Sequence, residues 1–134
     1  MTNSTSKIIL ALLIALLAGA SVRAEAANDW KPVAEAVAAE VDRAAHLVSA
    51  GHAAEAKDAV LNAYFGIFEG KKMEDAERAT LGQTHVAEVE GLFNDLRKAA
   101  GRGDDLRPLA SRLRATLEAD AAALDADPAA KGTK

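Results

Sequence analysis

From Val33 to Leu124 the apolar residues recur at intervals of three and four, and no stretch alternates apolar with polar. That spacing gathers them on one side of a helix and leaves no strand pattern to compete. A helix with one apolar stripe must bury it against another element, so the spacing predicts several helices packed around a shared core. The first face is Val33, Val37, Val41, Ala44 and Val48. Asn28 and Asp29 cap this helix, Pro32 falls in its opening turn, where a missing N–H costs nothing, and Gly51 ends it.

A second helix is expected from about His52 to Phe68, with Ala53, Ala56, Val60, Tyr64 and Ile67 or Phe68 inward. Gly70, Lys71 and Lys72 make the turn into a third. That helix begins near Met73, Glu74 and Asp75, whose carboxylates suit the positive end of a helix dipole. Its later face is Val86, Val89, Phe93, Leu96 and Ala100, closed by Gly101, Arg102 and Gly103. Residues 80–84 are its weak spot: Gly82 falls near the core stripe, and Thr80 with Gln83 imitates a capping box, so the third helix can split in two. Asp104 and Asp105 cap a fourth helix that turns Leu106, Leu109, Leu113, Leu117 and Leu124 inward. Four amphipathic helices joined by short turns imply an all-α, antiparallel up-down four-helix bundle over residues 27–126, followed by a flexible tail at 127–134.

Residues 1–26 carry a different signal. Lys7 precedes a run of thirteen apolar or small residues at 8–20, and small residues stand at Val22, Ala24 and Ala26. A positive start, a short apolar core and small residues before a cut site describe a secretory signal peptide. The run falls short of the roughly 20 residues that span a bilayer, and no second such run follows. The expected product is a periplasmic chain that is not membrane-embedded. Its charge is net −5, because removing Lys7, Arg23 and Glu25 takes the 16 basic and 20 acidic residues to 14 and 19. An acidic chain of this kind disfavours nucleic acid as a partner.

The absence of Cys excludes disulfides, zinc–thiolate sites, Fe–S clusters and thiol nucleophiles. There is no Gly-rich phosphate loop, no G-x-S-x-G and no HExxH, so a binding or accessory role is expected rather than an enzyme. A haem bundle is disfavoured too, because no Met stands near the mature start and no His in the fourth helix. What remains is carboxylates and three His, each with an acid one turn away: Asp42 with His46, His52 with Glu55, and His85 with Glu88. Such pairs share a helix face and can supply two metal ligands, although solvated surface pairing is their commoner use. His46 and His52 flank the Gly51 turn and so share one end of the bundle. The Glu-x-x-His motif of di-iron bundles is absent.

The most informative stretch is residues 63–74, AYFGIFEGKKME, where three of the four aromatics after Trp30 fall within five residues beside two acids. The pattern A-Y-F-x-x-F-E-x-x-x-M-E is followed by Val89, Glu90, Gly91, Leu92 and Phe93 and then Leu96 and Arg97. Preceded by the A-G-x-x-x-x-A turn at residues 50–56, it resembles the periplasmic helical region of the bacterial high-affinity iron permease family. The likeness covers roughly residues 33–124. The family's membrane R-E-x-x-E motifs are missing, since no Arg here is followed by Glu. The resemblance therefore implies a free-standing relative of the extracytoplasmic module, serving a membrane iron permease or another periplasmic uptake subunit. It also implies iron as the bound ion and Glu69, Glu74 and Glu90 as the matching acids. Hard carboxylate oxygens suit Fe(III), Mn or Ca. In one unbroken helix Glu74 and Glu90 would stand about 24 Å apart, so the three meet only if the helix breaks at Gly82. The rival reading is a metal-independent helical scaffold.

Cleavage is expected after Ala24 or Ala26, giving a mature N-terminus at Glu25 or Ala27. Mass spectrometry of the periplasmic fraction reads this directly, and an intact Met1 retained with the membranes contradicts it.

Overall fold

A computed structural model describes residues 29–130, so the expected signal peptide and the last four residues of the expected tail lie outside the described residues. Every regular element in it is helical. In chain order these are α1 (Trp30–Ser49), α2 (Ala53–Leu61), a π-helical segment (Asn62–Glu69), α3 (Met73–Thr80), α4 (Gln83–Arg102) and α5 (Arg107–Ala126). None of these helices is long and apolar enough to cross a membrane.

The stripes lie where their spacing put them. On α1, Val37, Val41 and Ala44 are fully buried, with Val33 and Val48 packed at the margins. Val86, Val89, Phe93, Leu96 and Ala100 are all buried on α4, as are Leu113, Leu117 and Leu124 on α5. α1 packs against α2 and α5, α2 against α4, and α4 against α5; α3 touches the π segment, α4 and α5. Many of these contacts are made through alanine, including Ala34, Ala44, Ala56, Ala59, Ala63 and Ala121, and such small side chains let helix backbones approach closely.

The start of α1 follows the expected cap, with the Asp29 side chain accepting from the Lys31 N–H at 3.3 Å. At α5 the cap position falls instead to Leu106, which makes no side-chain cap bond, while Asp105 just before it accepts from the Arg107 N–H at 3.1 Å. Between α3 and α4 the chain breaks as its glycine suggests. Leu81 and Gly82 both donate to the Glu77 carbonyl, and Gly82 takes φ +93, a conformation L side chains rarely adopt. Thr80 and Gln83 make no capping box, however. The Thr80 hydroxyl donates to Asp127, and Gln83 accepts from Arg78.

One expectation needs correction. The second helix does not run as a uniform α-helix to Phe68; from Asn62 it is wound as a π-helix, with Gly70 N–H donating to the Phe65 carbonyl five residues back. A Cβ at Gly70 would come within 2.5 Å of the Gly66 carbonyl oxygen, so the wide last turn depends on glycine there. At the end of α5, Asp125 accepts from the Trp30 N–H at 2.8 Å; of the expected tail, Asp127 accepts from Thr80 and Ala130 is buried, while residues 128 and 129 are exposed.

Truncating a residue in this core leaves a cavity. Leu113→Ala and Phe93→Ala are each expected to destabilise the protein by about 2–5 kcal/mol, measured by chemical or thermal unfolding. Unfolding close to wild type in both would mean that the buried face is misassigned.

Candidate functional site

Helix α3 is eight residues long, and two of its carboxylates, Glu74 and Glu77, stand one turn apart and are both buried. It starts from Lys72, which holds φ +68, an uncommon conformation for a residue with a side chain. Acidic groups in its first turn are favoured by the helix dipole. Packing against the π segment, α4 and α5 then gives the two carboxylates different surroundings.

Glu74 faces the aromatic cluster. It accepts from the Tyr64 hydroxyl at 3.1 Å and pairs with the Arg78 guanidinium, which also holds Asp75 at 3.1 Å and Gln83 at 2.8 Å. Tyr64 packs on Phe93 with ring centroids 5.1 Å apart and edge-on to Phe65 at 4.7 Å. Burial holds the Tyr64 phenol above its ordinary range, and the charge of Glu74, its hydrogen bond, and the charges of Glu90 and Glu69 add to the effect. Of the three acids implied by the family resemblance, Glu74 is bonded to this hydroxyl, while Glu69 and Glu90 act on it through their charges alone. Glu69 comes from the π segment and is exposed, Glu74 comes from α3, and Glu90 is half-buried on α4. Glu90 also acts on Arg78, a proximity that the break at Gly82 allows.

Beside this cluster lies a cavity of about 260 Å³ lined by Val60, Leu61, Tyr64, Phe65, Phe93 and Arg97, among others. Phe65 is 59% exposed, the one large apolar side chain so exposed among the described residues.

Glu77 faces inward. It is fully buried, and neither carboxylate oxygen has a hydrogen-bond donor. Next to it Asp120 of α5, also buried, contacts His85 of α4, with His85 Nε2 2.8 Å from Asp120 Oδ2. The ligand atoms of Glu77, His85 and Asp120 all lie within 4.8 Å of one another. Among the described residues this is the group of three such side chains gathered closely enough to hold a metal; Glu69, Glu74 and Glu90 do not draw together to that degree. Without a cation, burial pushes the Glu77 carboxyl up to about 9, helped by the charge of Asp120, by the hydrogen bond that a proton on Glu77 would make to it, and by the charge of Glu74. A proton on Glu77 turns it from an unmatched acceptor into a donor toward Asp120.

The three sequence-local histidine pairs fare differently. His46 Nδ1 meets the Asp42 backbone carbonyl at 2.9 Å, while the Asp42 side chain pairs with Arg114. His52 and Glu55 form an exposed pair at 3.5 Å. His85 bonds not to Glu88 but to Asp120, 35 residues away. Glu77 and Asp120 escaped the sequence reading, although a signal was present. Asp120 stands three after Leu117 and four before Leu124, and Glu77 stands four after Met73, so both are acids at core-facing positions.

No family model matches the chain, and no curated protein or solved structure is similar to it.

The Glu77 proton has a consequence for stability. Its carboxyl titrates near 4.5 when unfolded and near 9 when folded, so between those limits the folded state binds more protons and stability falls as pH rises. The contribution is complete below the lower limit and lost above the upper one. With a chelator present, unfolding free energy measured from about pH 5 to about pH 9 should decline in the wild type. Glu77→Gln, a neutral group of the same shape, should flatten that decline. Equal slopes in the two proteins would remove Glu77 as the source.

Proposed function

We propose that the protein is a periplasmic accessory subunit of an iron-uptake system, binding iron and handing it to a membrane permease. In this reading residues 1–26 are cleaved on export, the helices form an antiparallel up-down bundle, and the protein is not an enzyme. The observation that supports it is the Tyr64–Glu74 hydrogen bond, with the charges of Glu69 and Glu90 near enough to act on the same phenol. Carboxylate and phenol oxygens are hard donors of the kind Fe(III) prefers.

Several features suit transfer rather than storage. Glu74 is already engaged by Arg78 and Tyr64, so an incoming ion must compete for it. Glu69 is exposed, and Lys71 and Lys72 beside it offset the negative charge. Such a site is modest in affinity and exchangeable, and a partner's groups can complete it. The cavity beside exposed Phe65, lined by Glu90 and Arg97 as well as apolar side chains, adjoins the same cluster and offers the permease a contact surface. That exposed aromatic also favours a second reading, a metal-independent periplasmic scaffold that uses the cavity to bind another protein.

Calorimetric titration of the purified protein with iron and manganese separates the two. Iron should bind at about one ion per chain and weaken roughly tenfold or more in Glu69→Gln, Glu74→Gln and Glu90→Gln, a loss of about 1.4 kcal/mol or more. Absence of iron binding would leave the scaffold reading in place, and iron binding that survives all three substitutions would remove these acids as the site.

A further inference from the structure

We propose that Glu77, His85 and Asp120 form an interior site for a divalent transition-metal ion of the zinc type, distinct from the carboxylates around Tyr64. The three donors come from three helices, α3, α4 and α5, and their ligand atoms lie within 4.8 Å of one another. Glu77 supplies the independent observation. It is fully buried, both its oxygens lack a donor, and it belongs to the same close group as an imidazole and a second buried carboxylate. An acceptor so enclosed is satisfied by a cation, and two carboxylates with one divalent ion form a neutral set that tolerates burial.

The donor chemistry narrows the ion. One imidazole nitrogen and two carboxylate oxygens fit Zn(II) and its first-row neighbours; imidazole disfavours Ca and Mg, and no thiolate is present for a soft ion such as Cu(I). Zinc lies about 2.0–2.2 Å from nitrogen and oxygen ligands, which places tetrahedral donors roughly 3.4 Å apart. His85 Nε2 and Asp120 Oδ2 are 2.8 Å apart, so they open by about half an ångström to admit the ion, which replaces their mutual hydrogen bond. The His85 side chain is 29% exposed, giving the ion an approach from solvent and leaving a fourth position for water. Bound there, the ion ties the eight-residue α3 to both longer helices.

The test is titration of the purified, metal-free protein with Zn(II) by calorimetry, with Co(II) as a spectroscopic probe of coordination. One ion per chain, a raised melting temperature and Co(II) absorption in the visible are expected. Glu77→Gln and His85→Gln should each weaken Zn(II) binding roughly tenfold or more and abolish the Co(II) bands. Circular dichroism checks that the variants fold; Glu77→Gln retains the side-chain shape and serves as the reference if His85→Gln does not. Glu69→Gln and Glu90→Gln should leave Zn(II) binding unchanged. A folded wild type that takes up no Zn(II), or uptake indifferent to Glu77→Gln, would overturn the inference. Loss of iron binding with Zn(II) binding intact would reject only the iron-uptake reading, and the reverse result only this one.

Discussion

Gly82 holds φ +93, and the backbone there ends one helix and starts the next. The arrangement of charged groups at this end of the molecule depends on that conformation. A continuous helix through the position would keep Glu74 and Glu90 about 24 Å apart along one axis. With the break, α3 packs as a separate piece against the π segment, α4 and α5, and Glu90 acts on the same phenol as Glu74. An isolated helix of eight residues is not stable in water, so α3 persists through its neighbours. Met73 and Ala76 in the core and Thr80 bonded to Asp127 hold it.

The π winding of Asn62–Glu69 complements the break from the other side. Irregular helical turns of this sort often mark functional positions because they re-aim side chains that a regular helix would distribute differently. Here Phe68 is buried, Tyr64 is half-buried with its hydroxyl on Glu74, and Phe65 projects outward beside the cavity. Tyr64, Phe68 and Phe93 pack ring to ring with centroids 5.1–6.0 Å apart. The aromatic cluster is thus a structural contact between two helices and also the wall of the acidic site.

Within α3, two carboxylates one turn apart meet opposite fates. Glu74 is matched by a guanidinium and a phenol; Glu77 has no donor and faces another carboxylate. A buried polar group without a partner is a cost that natural cores seldom carry without a reason. A proton relieves it partly, and a metal ion would relieve it fully. Two carboxylates three residues apart therefore sit in chemically different surroundings, one paired with a guanidinium and a phenol and the other enclosed beside Asp120 and its imidazole partner.

The helical architecture was legible in the residues because its cause is local. Valine and leucine stripes at helical spacing have one economical burial, and Asp29 and Gly82 carry the conformational preferences that start and stop helices. Glu69 and Glu74 stand out in the contiguous aromatic–acidic segment, whereas Glu90 lies outside it and is implied only by the family resemblance. The inner group was not legible. Glu77, His85 and Asp120 lie on three helices, and His85 passes over Glu88, its neighbour one turn away, for a carboxylate 35 residues distant. The π winding and the anchoring of Asp125 and Asp127 likewise depend on Gly70's crowded carbonyl neighbours and on partners from α1 and α3. Periodicity specifies which face of each helix is buried; which polar groups meet inside depends on how the helices rotate and cross, and that is decided only when all of them pack together.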